Sequence, residues 1–116
     1  MNGNPRSQAR SAARLAAVQA LYQQQMEGTG TARLIDEFHQ HRLGVSVDEE
    51  ELADAEVDFF DDLVSGAIAR KDEIDALVAS KLASGWNLAR LDKAMLQVLR
   101  AGTYELLARN DVPAAV

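Results

Sequence analysis

The residues best suited to chemistry in this sequence are three arginines near the N-terminus. Arg6, Arg10 and Arg14 are four positions apart, so in a helix they lie on one face. Guanidinium groups in such a row can follow a phosphate backbone and release its counterions. The same spacing is also typical of an ordinary solvated helix face, because arginine is a good helix former. The residues alone leave both interpretations open.

Two further side chains on the same helix suit contact with nucleic acid. Gln19 can donate hydrogen bonds, and Tyr22 can either stack on an unpaired base or pack inside the protein. Although the net charge of the chain is −6, residues 1–26 hold three arginines and no acid. Screening limits charge effects to about 8–10 Å at physiological salt. An acidic protein can therefore bind phosphate through a local basic end.

The acidic residues are concentrated in one stretch. Residues 43–62 contain nine acids and no base. One interpretation is a solvated helix face, with acids in the first turns where the helix dipole favours them. The other is long-range attraction of a basic partner. We predict mainly solvated carboxylates here.

Catalytic and metal-binding patterns find little support. The chain has no cysteine, no glycine-rich phosphate loop and no GxSxG motif. His39 and His41 are two positions apart and point to different sides of a helix, which is wrong for a shared metal ion. We predict a protein that is not an enzyme and that holds no cofactor or metal.

The composition predicts one domain that spans residues 1–116. No apolar run approaches the roughly 20 residues of a membrane-spanning helix. The N-terminus lacks the apolar core of a signal peptide, and the absence of cysteine suits a reducing compartment. We expect a cytoplasmic location and no membrane partner.

Helical periodicity runs through almost the whole chain and predicts an all-α fold. The first helix begins near Arg6 and stops at Gly28 and Gly30. Its predicted apolar face consists of Leu15, Val18, Tyr22 and Met26. Further helical stretches are predicted over 31–42, 49–82 and 88–109. A bend is expected near residues 70–72, and Asn87 is expected to cap the last helix. Ser46 and Glu49 fit a capping box before the 49–82 stretch, and Trp86 is expected to be a packing anchor. The apolar residues of that helix cover more than one face, which predicts neighbours on two sides.

Three segments, in this order, resemble the NusB family of transcription antitermination factors, which are small all-helical RNA-binding proteins of bacteria. They are RSAARLAAVQALY (10–22), DFFDDLVSGAIARKDEIDALVASKL (58–82) and VLRAGTYELLARNDVP (98–113), with Trp86 between the last two. The resemblance implies an all-α NusB-like bundle, which in the family consists of two packed three-helix subdomains. Residues 1–9 are expected to form an N-terminal arm.

The resemblance also implies a function. The family binds boxA-type single-stranded RNA together with ribosomal protein S10 (NusE), in an RNA polymerase complex with other Nus factors. By position, Arg10 and Arg14 take the RNA-binding role, and the same helix adds three further RNA-binding candidates: Arg6, Gln19 and Tyr22.

S10 docks on the C-terminal half in the family, which implies partner contacts at four residues: Asp92, Arg100, Tyr104 and Glu105. Met95 stands where family members often carry an acid. The alternative interpretation is that Arg100 and Glu105 are surface or structural polar groups and that Tyr104 is half-buried.

After the Val112-Pro113 turn the family continues with two more helices, whereas this sequence stops at Val116. We therefore expect the last helices to be lacking, an apolar groove to be exposed, and the chain either to form a homo-oligomer through that groove or to be a fragment. Each wet Leu or Val side chain costs about 1.5–3 kcal/mol. Two alternative functions are a NusB-like RNA-binding domain of an rRNA cytosine methyltransferase and a helical interaction domain without an RNA role.

Overall fold

A computed structural model describes residues 5–40, 54–82, 85 and 87–109. For residues 5–8 and 54–55 it describes the backbone only. All regular structure in these residues is helical, as predicted. The five α-helices are α1 (Pro5–Glu27), α2 (Thr31–Phe38), α3 (Asp54–Ala69), α4 (Lys71–Lys81) and α5 (Lys93–Ala108), and a 3₁₀ turn spans Leu88–Arg90.

Helix α1 begins and ends at the residues that the sequence marks. Pro5 is its first residue, where a missing N–H costs nothing. Residues 5–9 of the predicted N-terminal arm thus form the first turns of α1. At the other end the Gly28 N–H donates to the Gln24 carbonyl at 2.8 Å, and Gly28 has a φ of +73°, which favours glycine. The predicted stop at Gly28 is confirmed.

The buried face of α1 differs from the face with the large apolar side chains. Leu15, Tyr22 and Met26 are exposed, whereas Ala13, Ala17, Ala20 and Leu21 are buried. Small side chains let α1 pack closely against α3 and α5, and the larger ones remain on the outside. Of the predicted apolar face of Leu15, Val18, Tyr22 and Met26, only Val18 packs partly buried against the core, so that face is not the main core face.

The predicted bend near residue 70 is confirmed as a break between α3 and α4. Arg70 has φ −105° and ψ 22° and separates the two helices, and its N–H still donates to the Gly66 carbonyl at 2.9 Å. The break lets α4 turn and pack against α5. Glu73 then pairs with Arg70 on the surface at 2.8 Å.

The start of α5 corrects a prediction. Asn87 precedes only the short 3₁₀ turn, and its side chain makes no capping hydrogen bond. The α-helix starts five residues later than predicted, where the Asp92 carboxylate accepts from the Ala94 and Met95 N–H groups at 3.1 and 3.2 Å. An aspartate at this position satisfies N–H groups that the helix itself leaves unpaired. The predicted capping box at Ser46 and Glu49 and the predicted anchor Trp86 lie outside the described residues.

The core forms where α3 meets α1, α2 and α5. Phe38 of α2 stacks on Phe60 of α3 with ring centroids 5.6 Å apart. The remaining buried apolar residues of this core are Ala13, Ala17, Ala20, Leu21, Leu34, Phe59, Leu63, Val64, Ala67, Ile74, Val78, Ala101 and Tyr104. Helix α5 has neighbours on two sides, as predicted, since α1 and α3 pack on one side and α4 on the other.

Candidate nucleic-acid interface

Two of the three arginines in the predicted RNA-binding row are paired with carboxylates of other helices. Arg10 donates from Nε to Glu56 Oε1 of α3 at 3.1 Å. Arg14 donates from Nε and Nη2 to Glu105 of α5 at 3.0 and 2.7 Å. The backbone of Arg6 lies in the first turn of α1, and its side chain lies outside the described residues. Helical spacing thus places Arg10 and Arg14 as predicted, but their partners come from 46 and 91 residues away.

These pairs are partly shielded from water. Side-chain exposure is 15% for Arg10 and 3% for Glu56, and 28% for Arg14 and 10% for Glu105. Glu56 belongs to the acidic stretch for which solvated carboxylates were predicted, and it is buried instead. Burying a carboxylate is costly unless it is paired, so a buried Glu56 requires the nearby guanidinium of Arg10.

Phe59 of α3 organises the same region. The guanidinium carbons of Arg10, Arg14 and Arg109 lie 4.4, 5.5 and 4.9 Å from the centroid of its ring. We call Phe59 and these three residues the arginine cluster. A cation within about 6 Å of an aromatic face is attracted by the ring quadrupole. The ring therefore holds the three guanidinium groups in addition to their carboxylate partners.

Asp62 of α3 pairs with the third arginine of the cluster, Arg109, and also bonds Tyr104 of α5. It accepts from Arg109 Nη1 at 3.1 Å through Oδ2 and from the Tyr104 hydroxyl at 2.6 Å through Oδ1. Burial, followed by the hydrogen bond to Asp62, raises the pKa of Tyr104 to about 12. The three ion pairs of the arginine cluster, with Glu56, Glu105 and Asp62, sum to a formal charge of zero. The arginines at this surface are therefore largely neutralised from within the protein.

Three of the four predicted partner-binding residues contact side chains of other helices, whereas Asp92 caps its own helix. Arg100 donates from Nε and Nη2 to Asp75 of α4 at 2.8 and 2.9 Å. Tyr104 is buried rather than half-buried, and Glu105 is buried against Arg14. These contacts agree with the alternative interpretation that Arg100 and Glu105 are structural polar groups. They hold α5 against α1, α3 and α4. A contact with a partner protein through these residues stays a prediction.

Gln19, Tyr22 and Asp92 lie together along one groove between the second half of α1 and the start of α5. The groove encloses about 520 Å³ and is also lined by Val18, Gln23, Met26, Glu27 and Ala94. Tyr22 is 41% exposed, so its ring is open to a ligand. The structure thus brings two predicted RNA-binding residues next to one predicted partner-binding residue.

A second groove, of about 460 Å³, runs between α4 and α5. It is almost entirely apolar and is lined by Leu77, Val78, Lys81, Leu82, Leu99, Thr103, Leu106 and Leu107. Leu106, the most exposed large apolar side chain of the described residues, lies on its rim. The predicted apolar groove is confirmed in this part of the molecule.

Sequence reasoning missed the residues that pair with the arginines. Phe59, Glu56 and Asp62 share one face of α3 at three-residue steps, and Arg109 follows the end of α5. A mixed aromatic and acidic face within an otherwise apolar helix was the available signal. Among the described residues, no three His, Cys, Asp or Glu side chains are grouped so as to hold a metal ion. None of the described helices is long and apolar enough to span a membrane.

In the described residues, these features define a small all-α protein with an internally neutralised arginine cluster and open grooves between helices. Comparison with known proteins then places it. The sequence model of the NusB family matches residues 11–116, and the chain belongs to that family.

The relatives agree with this assignment. The transcription antitermination protein NusB of Sphingopyxis alaskensis is 64% identical over 110 residues, which cover 95% of this chain and 74% of the relative. The protein of the same name from Novosphingobium aromaticivorans is also 64% identical, over 90% of this chain and 70% of the relative. That of Caulobacter vibrioides is 50% identical over the whole chain and 77% of the relative. No solved structure shows a significant match.

Proposed function

We propose that this chain is a transcription antitermination factor that acts by binding and not by catalysis. It binds boxA-type single-stranded RNA together with ribosomal protein S10, as part of an RNA polymerase complex with other Nus factors. The observation that carries this proposal is the family match over residues 11–116, with relatives named as antitermination proteins at 64% identity. The three relatives named above are all antitermination proteins, which favours this function over that of a methyltransferase domain.

The groove between α1 and α5 supports the RNA part of the proposal. Tyr22 presents an exposed ring beside the exposed amide of Gln19. An aromatic ring of this kind stacks on an unpaired base, and the amide can donate and accept hydrogen bonds at a base edge. Arg14 lies eight residues before Tyr22, about 12 Å along the helix. One single strand can therefore reach both residues.

The charge of the same groove supports the protein part. Glu27 and Asp92 are the acidic residues among its lining, and the chain as a whole carries a formal net charge of −6. Acidic surfaces attract a basic partner at long range and orient its approach. Met95 and Val98 leave an exposed apolar face on α5 beyond Asp92. We propose that S10 contacts Asp92 and this face, while Arg100 and Tyr104 support α5 from behind.

The test is a fluorescence anisotropy titration of labelled boxA-type RNA and of a scrambled RNA, each with and without S10. Tyr22→Ala is expected to weaken binding to boxA-type RNA about 5- to 150-fold, the value of one lost stacking contact. The matched control is Tyr22→Phe, which keeps the ring and is expected to bind as the wild type does.

Equal affinity of the wild type for boxA-type and scrambled RNA in the presence of S10 would contradict the specificity that we propose. Absence of any RNA binding would leave the alternative of a helical interaction domain. Since Tyr22 is exposed, its replacement leaves the core intact, and a circular dichroism melt checks this directly.

A further inference from the structure

The Arg14–Glu105 ion pair joins the two predicted binding surfaces of the protein. Arg14 belongs to the predicted RNA-binding row on α1, and Glu105 to the predicted partner-binding set on α5. In the structure each is the other's partner, with contacts of 2.7 to 3.1 Å. A ligand of either residue therefore encounters a side chain that is already engaged.

The ion pair occupies one of the two edges through which arginine can bind a phosphate with two donors. Nε and Nη2 form this edge of the guanidinium group, and both donate to the Glu105 carboxylate. A phosphate can make the same two-donor contact in place of the carboxylate. While Glu105 holds this edge, a phosphate cannot take it, and the positive charge of Arg14 is neutralised.

The surroundings differ for the two residues of the ion pair: Arg14 can exchange its partner, whereas leaving Glu105 without a partner costs much free energy. Arg14 is 28% exposed and lies over the Phe59 ring, which holds the guanidinium group whether or not Glu105 is charged. Glu105 is only 10% exposed, so it cannot simply turn into water when Arg14 leaves. A buried carboxylate without a partner is strongly unfavourable.

We propose that the Arg14–Glu105 ion pair is an autoinhibitory contact that RNA must open, and that a basic group of the protein partner helps to open it by taking over Glu105. This inference rests on the proposed function and adds the regulation of its RNA surface. RNA phosphate takes Arg14, a cation of the partner takes Glu105, and each ligand lowers the cost of the other. The coupling between two ligands is reciprocal, so the same pair sets both affinities.

The experiment measures binding of fluorescein-labelled boxA-type RNA by anisotropy at several salt concentrations, with and without S10. Glu105→Gln keeps the shape and one acceptor oxygen but releases the charge of Arg14. Without S10 we expect this variant to bind RNA about 5-fold or more tightly than the wild type. One additional neutralised phosphate should steepen the slope of log K against log salt by about 0.7. The enhancement by S10 should shrink by the same factor as the affinity gain.

Two controls separate this effect from a general change in net charge. Glu73→Gln removes one negative charge from a surface carboxylate that pairs with Arg70 and not with an arginine of the cluster. It should change RNA affinity by less than about 2-fold, because exposed charges are screened by salt. In an Arg14→Ala background, Glu105→Gln should likewise give no gain, since the cation that it releases is absent.

A spectroscopic measurement on the wild type keeps the proposal testable even if Glu105→Gln fails to fold. In a ¹H–¹⁵N spectrum of arginine side chains, saturating RNA should shift the Nε–H signal of Arg14. The signal of Arg100, which makes a similar two-donor contact with Asp75, should stay in place. An unmoved Arg14 signal at saturation, or unchanged or weaker RNA binding by folded Glu105→Gln, would overturn the proposal. A wild type that binds no RNA at all would instead overturn the proposed function and this inference together.

Discussion

Gly66 lies in α3 directly under the ring of Tyr104 in α5, and replacing it by alanine is expected to destabilise the protein. A Cβ atom at this position would overlap Cζ, Cε1 and Oη of Tyr104. The ring cannot move away freely, because its hydroxyl donates to Asp62 at 2.6 Å. The close approach of α3 and α5 therefore depends on a residue without a side chain at this point.

The magnitude follows from three contributions. Overpacking a core costs about 1–3 kcal/mol. Loss of a hydrogen bond to a charged group costs about 1.5–3 kcal/mol. Glycine to alanine inside a helix regains about 1 kcal/mol. We expect Gly66→Ala to lower the free energy of unfolding by about 3 kcal/mol.

Urea denaturation followed by circular dichroism at 222 nm measures this change. Gly102→Ala is the matched control, since it is also inside a helix and an added Cβ meets nothing within 4 Å. It should stabilise the protein by up to about 1 kcal/mol. In a Tyr104→Ala background the clash is gone, so Gly66→Ala should become neutral or stabilising. The reasoning is refuted if Gly66→Ala costs as much in that background as in the wild type.

Three further outcomes follow from the structure. Asp92→Ala should lower the free energy of unfolding by about 0.5–2 kcal/mol in urea denaturation, because it removes the cap of α5, whereas Asn87→Ala, which removes no cap bond, should not. Folding raises the pKa of Tyr104 to about 12, so the unfolded chain loses the hydroxyl proton at a lower pH than the folded protein does. The free energy of unfolding should therefore fall between about pH 10 and 12. Tyr104→Phe should remove that part of the decline in melting curves recorded at several pH values. We expect the chain to self-associate through the apolar α4–α5 groove, so Leu106→Glu should abolish concentration-dependent sedimentation. Leu15→Glu, at a residue of similar exposure outside that groove, should leave it unchanged.

Much of the fold could be predicted because its signals are local. The glycine that ends α1 and the break at Arg70 both depend on neighbours a few residues away. The start of α5 was missed because Asn87 and Asp92 are both acceptable caps, and the 3₁₀ turn between them has no distinct sequence pattern. Which face of α1 is buried could not be predicted from residue size. Close packing favoured the alanines over Leu15 and Tyr22.

The sequence predicted which arginines share a helix face in the candidate site, but not which side chains they contact. Four-residue spacing places Arg10 and Arg14 on one face of a helix wherever that helix packs. Nothing in the spacing indicates that Glu56 and Glu105 would meet them, since these acids are 46 and 91 residues away. Tyr104 was likewise recognised as part of a motif, but its burial against Gly66 depends on how α3 and α5 cross.

The sequence by itself determined the helical class, the ends of α1, the division of α3 from α4 and the family to which the chain belongs. Helical hydrogen bonds and periodicity act over three or four residues, so this information is contained in short segments. The tertiary structure alone decided which charges are neutralised, which apolar face is buried and which groove stays open. Those properties depend on side chains that come together only when helices distant in sequence pack around Phe59 and its neighbours.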